Sequence, residues 1–186
     1  MARIAALEPP YEPVVAHRLE AMMPPGTPPI GLFRTFVQNM AMTEAMAAWG
    51  AYELGKQLSL SMRDREILID RTCARCHCEY EWGVHVAFFA ERVGFSDEQV
   101  TSLTHGSADD ACWTVARDQL LIRAADVLHE SADIDDALWD ELAGEFSDAE
   151  ILDLTLLCGW YHAISYAARA ARVELEPGAP RFADVR

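Results

Sequence analysis

Prolines divide this chain more sharply than any other feature: seven of the nine lie in the first 29 residues, the others are Pro177 and Pro180, and residues 30–176 hold none. An interior proline costs a helix about 3 kcal/mol, because it lacks an N–H and its ring strikes the carbonyl four residues back. A proline-free run this long, rich in Ala, Leu, Glu and Arg, suits consecutive helices. The predicted fold class is all-α, a bundle of about seven to eight helices.

Caps and breaks place those helices near 30–39, 43–57, 63–75, 78–93, 96–104, 111–130, 135–144 and 147–173. Ser96 with Gln99 and Ser147 with Glu150 match the reciprocal cap that satisfies the free N–H groups of a helix start. Gly94 stands where a C-terminal cap glycine belongs. The reading is one domain over 30–176, a Pro-rich extended arm at 1–29 and a tail at 177–186. Trp82, Val86, Phe89 and Val93 repeat at helical spacing as a core stripe. Leu152, Leu156, Gly159, Ala163, Ala167 and Ala170 give the last helix a small-residue face for close packing, an ordinary buried helix or a subunit contact.

Charge then excludes partners. The chain carries 15 basic against 30 acidic residues, a net of −15, so the surface that neutralises nucleic-acid phosphates is missing. Sixteen of the acids lie in 96–153, beside only Arg117 and Arg123, and read as a solvated outer face. No run approaches the roughly 18 apolar residues of a membrane span, and the start MARIAALEPPYEP lacks a signal peptide's apolar run, so the expected location is cytoplasmic. Five cysteines, with Cys73, Cys76 and Cys78 bunched together, do not suggest a secreted disulfide framework.

The chemistry concentrates in 65–85, REILIDRTCARCHCEYEWGVH. On a helix Cys78, Glu81 and His85 share one face, where a thiol near a helix N-terminus or a histidine has its pKa lowered; a buried cysteine above a satisfied histidine is the alternative. Zinc would find soft ligands in Cys73, Cys76, Cys78, His77 and His85. Yet no second ligand pair follows, since Cys112, Cys158, His105, His129 and His162 stand singly, which argues against a metal. Cys73 and Cys76 form a C-x-x-C, but no strand precedes it as a thioredoxin-like unit requires. Tyr80 and Trp82 line a pocket or fill the core. Arg71 and Arg75 hold a substrate carboxylate or are simply solvated, and His162 reaches the pocket or, the favoured reading, fills space.

Glu66, twelve residues to Cys78, CEYEWGVH ending at His85, then Gly94 and S-D-E-Q resemble the carboxymuconolactone decarboxylase-like family, which includes the alkylhydroperoxidase D proteins. The resemblance is most specific over about 40–110. The peroxidase branch carries a glutamate, a C-x-x-C and a histidine four residues on; Glu66, Cys78 and His85 match, and Glu81 replaces the second cysteine. The resemblance implies a homo-oligomer (trimer, hexamer or dimer), no metal or organic cofactor, and a Glu66–His85 proton relay beside a reactive sulfur. The expected activity is a thiol peroxidase with Cys78 as the reacting sulfur and a hydroperoxide substrate. Because a sulfenic acid needs a resolving thiol, Cys73, Cys76 or an external thiol would take the missing cysteine's place. The alternative is a cofactor-free decarboxylase or isomerase of a small carboxylated lactone using His85 and Glu81; a non-catalytic oligomer is the third reading.

Overall fold

The computed structural model describes residues 1–185. Its helices are α1 (Pro13–Ala21), α2 (Gly31–Phe36, continued by a 3-10 turn over Val37–Asn39), α3 (Met40–Glu53), α4 (Met62–Arg75), α5 (Glu79–Phe89), α6 (Asp97–His105), α7 (Ala116–Ser131), α8 (Asp136–Glu145) and α9 (Asp148–Ala171). No strand occurs among the described residues, so the all-α reading holds. Both expected reciprocal caps are formed, and a third, Ser61 with Asp64, starts α4. Residues 54–57, 90–93 and 111–115 fall outside the helices expected over them, and in the last of these buried Trp113 donates its indole N–H to Ser102 Oγ.

Helix α4 lies at the centre, and every residue from Asp64 to Ala74 is buried. Its composition is unusual for that position, because Asp64, Arg65, Glu66, Asp70 and Arg71 go inside with Ile67, Leu68 and Ile69. A buried charge is costly unless paired. The pairing comes mainly from α7, which runs parallel to α4 at a nearly constant offset. Arg63 meets Asp118 at 2.8 Å, Asp64 meets Arg117 at 2.9 Å, Arg71 meets Asp126 at 2.6 Å and Arg75 meets Glu130 at 2.5 Å. Part of the acidic 96–153 stretch is thus the internal counter-charge of α4 rather than a purely solvated face. Arg71 and Arg75 are these struts, so neither is free for a substrate carboxylate.

Two further expectations change. The first 29 residues are not an extended arm throughout: α1 forms within them, and its Val15 and Leu19 cluster with Val37. The tail also folds back, with the Phe182 ring 5.0 Å from that of Trp82 at a tilt of 58° and its N–H donated to Glu79. The small-residue face of α9, in contrast, is open. Leu152 and Tyr166 are 62% and 66% exposed, and Leu156, Gly159, Ala163 and Ala170 face outward with them.

Candidate functional site

The site begins at the turn between α4 and α5. The N–H of His77 bonds Ala74 O and that of Cys78 bonds Cys73 O, the paired closure of a helix that ends in a left-handed residue. His77 takes that role, at φ 53°, where glycine is usual. The bend therefore exists without the Gly or Pro that would announce it. It lays α5 against α4, so that His85 meets Glu66 across the helix pair.

Glu66 is fully buried between two partners: Arg65 Nε donates to Oε1 at 2.7 Å, and His85 Nδ1 lies 2.7 Å from Oε2. A carboxylate that accepts from an arginine can only accept from the ring, so Nδ1 carries the imidazole proton and Nε2 the lone pair. Tyr161, from the middle of α9, donates its O–H to that Nε2 at 3.0 Å. Glu81 Oε2 stands 3.8 Å from Nε2, while its Oε1 is buried with no partner among the described residues. Burial pushes the Glu81 carboxyl up, opposed by His85, and burial with the nearby Glu66 charge drives Asp70 well above the usual range. The cluster is thus a base, a carboxyl held toward its neutral form and a hydroxyl, on a carboxylate–arginine footing. His85 keeps 5% exposure, a narrow opening to solvent. A cavity of about 600 Å³ beside α6, lined by Asp97, Glu98, His105, Asp110 and Cys112, includes none of these residues.

Glu81 and His85 share one face of α5 as the spacing predicts, and Glu66, expected from the family resemblance, meets His85 from α4. Cys78 is bonded to neither the His85 ring nor the Glu66 carboxylate among the described residues. It is the buried N-cap of α5, and among the described residues no bond links its sulfur to His85, whose nitrogens face Glu66 and Tyr161. The helix end favours a thiolate, yet burial pushes Cys78 up, Cys73 well up, and Cys76 up to about 11. Tyr80 instead accepts from Leu32 N–H and donates to Glu176, tying both ends of the chain together. Trp82 is core. Sequence reasoning missed Tyr161, 76 residues beyond His85, with no local signal to mark it. It also missed that His162, the next residue, meets His129 and Cys76.

Residues 41–126 match the Carboxymuconolactone decarboxylase family. No curated protein matches the chain. Among solved structures, an uncharacterized peroxidase-related protein from Silicibacter sp. TM1040 shares 18% identity at a TM-score of 0.78, over 98% of this chain and 96% of that one. The alkylhydroperoxidase AhpD core protein from Ralstonia eutropha JMP134 shares 14% at 0.78, over 94% and 93%. The debrominase Bmp8, bound to 2,3,4-tribromopyrrole, shares 14% at 0.75, over 94% and 91%. At these identities the likeness is one of fold.

Proposed function

We propose, from the premise that residues 41–126 belong to the carboxymuconolactone decarboxylase family, that this protein is an acid–base enzyme that decarboxylates or isomerises a small carboxylated lactone or acid. The observation that carries this reading is the setting of His85. Glu66 holds its Nδ1 at 2.7 Å, Tyr161 and Glu81 face its Nε2 at 3.0 and 3.8 Å, and no thiol bonds either nitrogen among the described residues.

In isomerisation, His85 Nε2 takes a proton from the carbon beside the carbonyl, and the Glu66–Arg65 pair stabilises the imidazolium that results. The electron pair moves onto the carbonyl oxygen, which accepts hydrogen bonds from Tyr161 and from Glu81 in its protonated form. The imidazolium then returns the proton at the conjugated carbon. In decarboxylation the carbon–carboxylate bond breaks, CO₂ leaves, the pair rests on the same oxygen and the carbon is protonated from Glu81 or protonated His85. With Arg65 and Arg71 paired in the interior and Arg75 paired at the surface, Glu81 and Tyr161 act as the donors to the substrate's anionic oxygens. A homo-oligomer seated on the open face of α9 belongs to the same proposal and would cover Leu152, Leu156 and Tyr166.

A thiol peroxidase is the second reading, favoured by the bunching of Cys73, Cys76 and Cys78 around one turn and by the names of the similar folds. There the Cys78 sulfur would displace alcohol from a hydroperoxide, becoming a sulfenic acid that Cys73 or Cys76 reduces by forming a disulfide and releasing water. The decisive comparison is Cys78→Ser against His85→Ala. Solvent-deuterium incorporation and CO₂ release from a panel of carboxylated lactones should survive the first and vanish in the second. Hydroperoxide consumption that disappears in Cys78→Ser, with no proton exchange in the parent protein, would reverse the assignment.

A further inference from the structure

Three side chains that the relay does not use converge on its far side. Cys76 is the C-cap of α4, His129 lies in the last turn of α7 and His162 in the middle of α9. Cys76 Sγ is 3.8 Å from His129 Nδ1, which is 2.9 Å from His162 Nε2, and all three atoms lie within 4.8 Å of one another. We propose that Cys76, His129 and His162 bind a borderline transition-metal cation, for which zinc is the closest chemical match.

The geometry is near what zinc needs. Tetrahedral bonds of about 2.3 Å to sulfur and about 2.0–2.1 Å to nitrogen set ligand atoms about 3.3–3.7 Å apart, against 3.8 and 2.9 Å for two pairs and at most 4.8 Å for the third, so side-chain shifts of about 1 Å would close the site. The histidine tautomer is already arranged. His162 Nδ1 donates to Cys158 O at 2.8 Å, which leaves a lone pair on Nε2, the outer-shell hydrogen bond that orients metal-ligating histidines. The 2.9 Å approach of His129 Nδ1 to that lone pair requires a shared proton, and a cation replaces it. Cys76 is held through its backbone, since Arg169 donates to its carbonyl at 2.9 Å. Besides Arg169, Arg75 stands near the cluster and is engaged by Asp126 and Glu130, which offset its charge. Cys76 is buried while both histidines are half-buried, so an ion has an entry side and a fourth position for water.

Binding is balanced by proton release: the Cys76 thiol loses its proton to solvent, and the His129 ring proton shifts to Nε2 as Nδ1 takes the metal. The bound thiolate is also withdrawn from oxidation. Single-sequence spacing hides this set, because its members are separated by 53 and 33 residues on three helices.

The test is titration of chelator-treated full-length protein with Co²⁺, then competition with Zn²⁺. One equivalent should give tetrahedral visible bands together with thiolate-to-cobalt charge transfer, and Zn²⁺ should bleach both and slow Cys76 alkylation at least tenfold. Cys76→Ser should lose the charge-transfer band, and His129→Ala or His162→Ala should weaken binding about 100-fold, while His85→Ala and Cys112→Ser keep it. Should a variant fail to fold, the parent protein still decides: Zn²⁺ must shift the His129 and His162 ring resonances. Absence of the thiolate band, its survival in Cys76→Ser, or unmoved His129 and His162 resonances would overturn the site.

Discussion

The two ends of α4 handle histidine in opposite ways. Near its start, Glu66 anchors His85 through a carboxylate, in a setting that is almost fully buried and backed by Arg65. At its end, Cys76 faces His129 and His162, half-buried, and the ring nitrogen of His162 turned away from the cluster is held by a carbonyl. The partner on a histidine's other nitrogen sets what the ring does. A carboxylate strengthens it as a base and steadies its protonated form, whereas a carbonyl fixes the tautomer and leaves a neutral ligand. Helix α9 serves both ends from adjacent positions, Tyr161 to the first and His162 to the second.

The largest expected effect separates the ends outright. His85→Ala should lower kcat/KM by about 10²–10⁴, the usual contribution of a placed general base, while His162→Ala leaves it within a factor of about two. Glu81→Gln sharpens the point. If the neutral carboxyl is the donor, the parent rate falls as pH rises through the raised Glu81 pKa, and the amide variant loses that alkaline limb. Stopped-assay pH profiles on the accepted lactone decide it, and equal losses in His85→Ala and His162→Ala would merge the two ends into one site.

A second experiment cuts the strut between them. Arg71 is buried and its guanidinium donates to Asp126 at 2.6 and 2.8 Å, so Asp126→Ala strands a buried cation and should cost about 3 kcal/mol in urea unfolding. Because the same parallel register brings His129 to Cys76, cobalt affinity should fall with it, while the Glu66–His85 contact is untouched.

Asp70 tests the buried charge of the first end. Its folded pKa lies above the unfolded value, so its stabilising neutral form is fully present below the unfolded pKa and its benefit is lost as pH rises toward the folded one. Asp70→Asn should therefore raise Tm by about 2–4 °C at pH 8 and by little at pH 4, measured by calorimetry at both. A gain that is the same at both pH values would mean that Asp70 is ionised in the folded protein.

Much of this was legible from the chain itself, because it depends on local rules. The proline boundaries, the Ser96 and Ser147 caps and the shared face of Glu81 and His85 each follow from residues within a few turns of one another, while Glu66 entered through the family resemblance. What was not legible is long-range. Tyr161, the α7 struts and the second cluster each require knowing that α4, α7 and α9 touch, and isolated residues such as His129 carry no mark of their partner. Arg71 and Arg75 looked like free cations only because Asp126 and Glu130 stand 55 residues away.

The smallest effect concerns the turn that sends Cys76 to one end and Cys78 to the other. His77 is exposed and left-handed at φ 53°, a conformation that strains a side chain with a Cβ by about 1 kcal/mol and that glycine adopts freely. His77→Gly should then raise stability by about 0.5–1 kcal/mol, offset in part by glycine's greater freedom in the unfolded chain. His77→Val should lower it, because a branched side chain tolerates that region least. If Arg169 and the Cys73 and Ala74 carbonyls fix the turn, His77→Gly leaves both the His85-dependent rate and the cobalt affinity where they were. A loss of cobalt binding alone would instead make His77 a member of the second cluster, and the two ends would differ by one more ligand than the structure assigns.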